Sequence, residues 1–465
     1  MADMTSPRTS MPERDPRLRR RTFEEVSLGY TEEMAVAEAN RCLQCKHAPC
    51  TAGCPVNVRI PEFIAKIAAR DFEGAYQAIT QTHGAPAITG RVCPQETQCE
   101  AKCVRGIKSE PVAIGRLERF AADWHMAQKP AFALPKLPAN YTHVAVVGSG
   151  PAGLTCAHDL AQLGYAVTLF ESFHTVGGVL VYGIPEFRLP KTIIRRAEAD
   201  LRSLGVQIKT NTVVGRVVTL DELMEEGYRA IFLSTGAGLP KFMNISGEGL
   251  AGVYSANEYL TRVNLMHAWN PDYETPLIKS RSVAVVGGGN VAMDAARCAM
   301  RMGADEVHLI YRRSEAEMPA RAEEVHHAKE EGIQFHFLSN PVAVTNNGSG
   351  HASGLTCVKM ELGEADSSGR RTARTLEDSE FTLKVDTVIM ALGTSPNPLI
   401  RMADPNLNVD RKGCIIVDEQ TLHTSREGVY AGGDAVTGAA TVILAMGAGK
   451  LAAQSIARAL ETQSD

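Results

Sequence analysis

A strand–glycine–helix unit occurs twice in this chain, and it limits the possible folds more than any other feature. The apolar run His143–Val147 leads into Gly148-Ser-Gly150-Pro-Ala-Gly153, and Ser282–Val286 leads into Gly287-Gly-Gly289-Asn290-Val291-Ala292. Each loop opens a stretch of helical periodicity, and the copies lie about 140 residues apart. A strand ending in such glycines turns directly into a helix whose N-terminal amides face an anion. The duplication predicts an α/β chain with two Rossmann-like dinucleotide-binding domains rather than a solenoid.

The first loop has the form G-x-G-x-x-G. Gly148 permits the turn, Gly150 lets a pyrophosphate approach the backbone, and Gly153 lets helix and strand pack closely. The next strand, Ala166–Phe170, ends at Glu171, where a carboxylate accepts hydrogen bonds from a ribose. Gly177-Gly178 follows this acid at the spacing found in two-dinucleotide flavoproteins. Ser234-Thr235-Gly236 ends another apolar strand, and Ala431-Gly432-Gly433-Asp434 a further one. Together these segments favour FAD over NAD here. Resemblance to those flavoproteins implies that Asp434 meets the ribityl chain. It also implies that the helix starting near Thr441 turns its dipole toward the flavin pyrimidine.

The second loop ends in Ala292 rather than glycine, and its second strand, Glu306–Tyr311, ends in Arg312-Arg313 rather than an acid. A carboxylate there would repel a 2′-phosphate, whereas guanidinium groups pair with it, so NADPH is expected over NADH. Arg321 is a further candidate for that phosphate. Gly287, Gly289, Asn290, Val291 and Ala292 form the cradle, and Ala391-Leu-Gly393 closes a strand on the nicotinamide side.

Seven of the eleven cysteines lie between Cys42 and Cys103. They are spaced Cys42-x2-Cys45-x4-Cys50-x3-Cys54-Pro55 and Cys93-x5-Cys99-x3-Cys103. Clustered cysteines in a chain with no export signal read as metal ligands rather than disulfides. The first run resembles that of two-cluster ferredoxins, in which the last cysteine serves the other cluster. On that pattern Cys42, Cys45, Cys50 and Cys103 hold one [4Fe-4S] cluster. Cys54, Cys93 and Cys99 hold a second, whose fourth ligand is not a cysteine. Zinc also accepts thiolates in C-x2-C pairs, but beside two dinucleotide sites an electron carrier is of more use than a redox-inert ion.

The domain reading is therefore an N-terminal α-helical ferredoxin-like iron–sulfur domain (22–128) followed by two Rossmann-like domains. The FAD-binding domain comprises 141–280 and 386–465, and the NADPH-binding domain, 281–385, is inserted in it. Thr31–Arg41 and Pro61–Arg70 are expected helices of the first domain. Residues 129–140, with Pro130, Pro135 and Pro138, read as a stiff linker. Residues 345–380 are polar, with Asn346-Asn-Gly348 and Ser367-Ser-Gly369, and read as strands and turns at the edge of the second unit. Residues 1–20, ending near the basic Arg19-Arg20-Arg21, read as a flexible arm. The net charge of −5 gives no general case for nucleic-acid or membrane binding. Without an apolar leader or a membrane-length run, a cytoplasmic location is expected.

The order of motifs from about Phe23 to Ala459 resembles one family, the beta (small) subunits of NADPH-dependent glutamate synthase. The N-terminal half of dihydropyrimidine dehydrogenase and the large subunit of ferredoxin–NADP transhydrogenase are similar. The residues that carry the resemblance are Arg41-Cys-Leu-Gln-Cys45, Cys54-Pro-Val, Gly90-Arg-Val-Cys-Pro94, Tyr311-Arg-Arg313 and the string Gly177-Gly178…Tyr182-Gly-Ile-Pro-Glu-Phe-Arg188-Leu-Pro-Lys191. The resemblance implies that this string wraps the isoalloxazine, with Val179 and Arg188 as flavin neighbours and Val214 at the adenine. It also implies that Glu118, within Gly115-Arg-Leu-Glu118, is the fourth ligand of the second cluster. The spacing C-x5-C-x3-C follows the transhydrogenase and dihydropyrimidine dehydrogenase branches, where many glutamate synthase subunits have C-x3-C-x3-C.

The implied function is an NADPH-oxidising subunit. It would pass electrons through FAD and two [4Fe-4S] clusters to a large (alpha) subunit that makes glutamate, the pair forming a hetero-oligomer. An NADPH:ferredoxin oxidoreductase or bifurcating transhydrogenase subunit, with a ferredoxin-type acceptor, is the alternative. A purely NADP(H)-sensing regulatory subunit is a third reading. No acid–base catalyst is expected, and no cysteine pair stands beside the flavin segments as a disulfide reductase requires.

Overall fold

The structure is a computed structural model and describes residues 6–128, 141–365 and 371–462. The proline-rich linker 129–140 and the Ser367–Gly369 turn lie outside the described residues.

Two five-stranded parallel sheets form the frame. In the first the order is Val429–Ala431, Tyr228–Leu233, His143–Val147, Ala166–Phe170, Gln207–Lys209. The runs are almost wholly apolar because helices cover both faces. Pro151–Gln162 follows the first glycine loop and packs on the long helix Val442–Thr462. The approach is close enough that a Cβ on Gly449 would lie 2.1 Å from the Ala152 carbonyl oxygen.

In the second sheet the order is Val253–Ser255, Thr387–Met390, Ser282–Val286, Glu306–Tyr311, Gln334–Phe337. Two of these strands fall outside the 281–385 span read from the sequence. Thr387 pairs with Val283 and Val388 with Val253, so the second unit takes in strands on both sides of that span. Its polar 339–383 region forms the expected antiparallel edge sheet. The two crossings between the units are joined, Leu239-Pro240 pairing antiparallel with Thr394-Ser395.

The N-terminal domain is helical. Glu32–Ala39 is capped by Thr31, whose side chain accepts from the Met34 amide, and Ile60–Ala68 starts with proline in its first turn. Phe63, Ile64, Ile67, Ile79, Ile114 and Leu117 are fully buried in its core, and Cys42, Cys50, Cys54 and Cys103 pack against that core. The helices Pro86–Val92 and Ile114–Gln128 touch at Gly90, where a Cβ would lie 2.6 Å from the Arg119 nitrogen.

The N-terminal segment corrects the reading of a flexible arm. From Ser6 onward it is a strap across the other parts. Arg41 and Arg105 donate to the Ser6 carbonyl, and Arg8 pairs with Glu100. Val26 is buried with its amide on the Phe187 carbonyl. Arg19, only 1 % exposed, pairs with Glu13, Glu330 and Glu331. Its polar composition misleads because the polar groups are satisfied by ion pairs rather than by water. Among the described residues no helix is long and apolar enough to cross a membrane.

Candidate functional site

A single cavity runs along the C-terminal ends of both sheets, as expected for ligands of open α/β folds. The first unit contributes Gly148, Gly150, Glu171, Gly178, Val179, Arg188, Val214, Thr235, Gly236, Gly433, Asp434 and Thr441 to its wall. The second contributes Asn290, Val291, Asp294, Ala391 and Gly393, and the helical domain adds Val92 and Pro94, which flank Cys93.

The first glycine loop fits a dinucleotide. Gly148 has φ +97°, and a Cβ there would lie 2.5 Å from the Ser234 carbonyl oxygen. On Gly153 a Cβ would lie 1.8 Å from the Gly148 carbonyl oxygen, so helix and loop touch at that point. Gly150 is the opposite case: a Cβ there meets no atom within 4 Å and would stand in the space a pyrophosphate needs. Glu171 is buried and fixed in place. Its carboxylate accepts from the Ser149 amide at 3.0 Å, the Ser149 hydroxyl and the Phe173 amide at 2.8 Å. Ser149, overlooked in the sequence, thus links loop and acid, and it also accepts from the Gly177 amide at 3.0 Å. Burial pushes the Asp434 carboxyl up to about 6, with the Ala440 amide donating to it at 3.3 Å. Burial likewise pushes Tyr182, another wall residue, up to about 12.

The second loop fits in the same way. Gly287 has φ +145°, and a Cβ there would lie 2.3 Å from the Ala391 carbonyl oxygen. Ala292 is fully buried, while Val291 is 44 % exposed at the cavity. The arginines divide. Arg312 is exposed at the strand end, away from the shared cavity. Arg313 is buried, and its Nε donates to the Arg371 carbonyl at 2.7 Å. Arg321 is a correction. Its guanidinium donates to the Arg91 carbonyl (2.9 Å), Gln95 (3.1 Å) and Glu323 (2.9 Å), so it joins the second unit to the helical domain instead of facing a phosphate.

Arg188 lines the cavity, but its guanidinium is held by the second unit: Nη1 donates to both Asp294 oxygens and Nε lies 3.0 Å from Glu324. Asp294 carried no sequence signal beyond its place one turn after Asn290.

The cysteines fall into two groups. Cys42, Cys45, Cys50 and Cys103 line one small cavity with Ile60, Ile64 and Ile114. Cys54, Cys93 and Cys99 lie around Glu118. Burial raises all three thiols above their ordinary value, those of Cys93 and Cys99 well above, and the Glu118 charge raises them further. The Glu118 carboxylate accepts from the Thr89 hydroxyl, and Oε1 lies 3.2 Å from His83 Nε2. All these cysteines are free. Tetrahedral zinc would draw four thiolates to roughly 3.8 Å from one another. Among the described residues the one set of three such ligand atoms within 4.8 Å is Glu13, Glu323 and His327, none of them a cysteine.

Residues 142–449 match the pyridine nucleotide-disulphide oxidoreductase family, and residues 19–130 match dihydropyrimidine dehydrogenase domain II, 4Fe-4S cluster. The chain belongs to the pyridine nucleotide-disulphide oxidoreductase family. Within it, the chain is 37 % identical over 455 residues to the glutamate synthase [NADPH] small chain of Azospirillum brasilense, covering 96 % of this chain and 93 % of that one. It is 36 % identical to the Escherichia coli small chain, covering 98 % and 97 %. It is 41 % identical over 432 residues to the NADP(+)-dependent formate dehydrogenase subunit beta of Moorella thermoacetica, covering 88 % of this chain but only 59 % of that protein. FprA from Mycobacterium tuberculosis, solved in complex with NADPH, shares the fold at a TM-score of 0.58 and 20 % identity, over 70 % of this chain and 86 % of that one. This family member is thus an NADPH-dependent flavin oxidoreductase with a 4Fe-4S domain, an electron-transfer subunit by kinship.

Proposed function

We propose that this chain is the NADPH-oxidising subunit of a glutamate synthase and passes electrons from NADPH through FAD and two [4Fe-4S] clusters to a large subunit that makes glutamate. The observation that carries the electron route is the one cavity walled by both glycine loops and by the residues flanking Cys93. FAD, when bound, takes two electrons as hydride and gives them up singly, which is what joins a nicotinamide to iron–sulfur clusters. The glutamate synthase small chains are relatives that this chain spans almost end to end, which supports that partner.

In this reading Gly148, Gly150 and Gly153 receive the FAD pyrophosphate, and Glu171, oriented by Ser149, accepts from the ribose. Asp434 and Thr441 stand at the flavin end, with Val214 toward the adenine. Gly287, Gly289, Asn290 and Val291 receive NADPH, with Arg312 and Arg313 at its 2′-phosphate. Cys54, Cys93, Cys99 and Glu118 hold the cluster nearer the flavin. Cys42, Cys45, Cys50 and Cys103 hold the one nearer the partner.

Anaerobic NADPH titration followed by optical and EPR spectra, with iron and sulfide assayed, tests the route. A bleached flavin and a reduced-cluster signal support it; zinc in place of iron would sink it. A second reading, an NADPH-linked subunit for a ferredoxin-type acceptor or another dehydrogenase, is favoured by the C-x5-C-x3-C spacing and by the identity to the formate dehydrogenase subunit. Co-purification of a large amidotransferase subunit, with glutamate formed from glutamine and 2-oxoglutarate, separates the two.

A further inference from the structure

The first cysteine group lies under an unusual patch of surface. Cys103 is followed by the one-turn helix Val104–Ile107, on which Ile107 is 79 % exposed and Val104 is 37 % exposed. Val104 also lines the small cavity shared by Cys42, Cys45, Cys50 and Cys103, so the turn borders the thiols' cavity. Lys102 and Lys108 flank the turn, and Lys46 stands in the loop between Cys45 and Cys50; all three are exposed. None of the three makes an ion pair among the described residues. Of the acids nearest in the chain, Glu100 pairs with Arg8 at 2.8 Å, and the exposed Glu110 accepts from the Arg8 amide at 3.0 Å. The chain as a whole carries a net charge of −5, so an unpaired basic rim here runs against its average.

An apolar centre inside a rim of one charge is the layout of small, transient electron-transfer contacts, where the rim steers the partner and the centre excludes water. We propose that this face, Val104 and Ile107 with the neighbouring Lys46, Lys102 and Lys108, docks an acidic redox protein or domain that carries its own one-electron centre. The proposal rests on the electron-transfer reading above and deepens it by naming the exit surface and the charge of the partner. The balance is simple: each NADPH oxidised yields NADP+, one proton and two electrons, and two partner centres are each reduced by one electron.

The test uses the holoprotein and an acidic [2Fe-2S] ferredoxin as probe. Wild-type kcat/KM for ferredoxin should fall as salt rises. The triple variant Lys46→Glu, Lys102→Glu, Lys108→Glu should lose on the order of tenfold in kcat/KM with an inverted salt dependence. Ile107→Ser should weaken docking without changing the salt dependence. Iron content and NADPH:thio-NADP+ hydride exchange, which needs no one-electron acceptor, should stay at wild-type levels in both. Unchanged ferredoxin reduction and salt dependence in the triple variant would overturn the proposal. So would a shift from dimer to monomer, which would assign the face to a second copy. A wild-type holoprotein whose clusters NADPH reduces but which reduces no ferredoxin would overturn the docking proposal alone; one whose clusters NADPH fails to reduce would sink the electron-transfer reading itself.

Discussion

Arg188 and Asp294 meet across the boundary between the two dinucleotide-binding units, the Arg188 Nη1 lying 2.8 and 2.7 Å from the two carboxylate oxygens. The pair opens a buried chain of charges. Arg188 reaches Glu324, Arg297 bridges Glu324 and Glu331, and Arg301 and the strap's Arg19 close on Glu331. The flavin-side wall, the helix after the second glycine loop and the N-terminal strap are thereby held in one arrangement.

Removing one partner leaves a buried charge uncompensated, which costs roughly 3–5 kcal/mol. Arg188→Met alone should therefore lower the thermal unfolding midpoint by about 10 °C. The double variant Arg188→Met, Asp294→Leu should recover part of that loss, because no lone charge stays buried. Calorimetry of the two variants checks this. A double variant less stable than the single would show that the pair itself, and not the avoided lone charge, supports the boundary.

The same chain sets a pH window. Burial pushes the Glu324 carboxyl up, but the Arg188 and Arg297 guanidinium groups outweigh it and hold it down to about 2. With the folded value below the unfolded one, the stabilisation is fully present above about pH 4.5 and is lost as pH falls toward 2. Glu324→Gln should lower the melting temperature at pH 7, and the gap to wild type should narrow only below about pH 4.5. A gap that is constant down to acid pH would contradict the assignment.

What was legible in the sequence is instructive at the level of single residues. Gly148, Gly153 and Gly287 could be read because no other side chain fits those turns. The strands His143–Val147 and Ser282–Val286 could be read because a two-face-buried parallel strand is continuously apolar. The outer edges of the second unit could not. Val253–Ser255 is three residues long, and only its pairing with Thr387–Met390 makes it a strand. Asp294 and the ion-pair roles of Arg19 and Arg321 stayed hidden for a different reason. Hydrophobic patterning reports burial of apolar groups, whereas these are buried through ion pairs with residues distant in the chain.

Asp434 should make FAD binding pH-dependent. In the FAD-free protein burial holds its carboxyl near 6, so it is mostly protonated below that pH and mostly ionised above it. Ribityl hydroxyls donating to the carboxylate would favour the ionised form, so FAD should release a proton and bind more tightly as pH rises from about 5 to 7. Asp434→Asn should flatten that dependence and weaken FAD by about tenfold. Fluorescence titration of the deflavinated protein across this range reads both effects.

Arg312 is the better probe of coenzyme choice than its neighbour. Arg313 is buried and holds the Arg371 carbonyl, so its loss would unsettle the edge sheet as well. Arg312→Ala should lower kcat/KM for NADPH by about 10- to 100-fold and leave that for NADH nearly unchanged. Equal losses for both coenzymes would move the 2′-phosphate site elsewhere.

Glu118 gives the most direct test of how many clusters the helical domain holds. It is buried, faces Cys54, Cys93 and Cys99, and is oriented by the Thr89 hydroxyl and His83. Its removal spares Cys42, Cys45, Cys50 and Cys103 in their separate cavity. Glu118→Ala should therefore cut iron from about eight atoms per chain toward about four. It should keep NADPH reduction of FAD and slow electron delivery to ferredoxin sharply, because on the proposed route the cluster lost would be the one nearer the flavin. Glu118→Gln, which keeps an oxygen donor, should retain iron but shift the potential of that cluster. Full iron in Glu118→Ala with an unaltered EPR spectrum would assign the fourth ligand to another group.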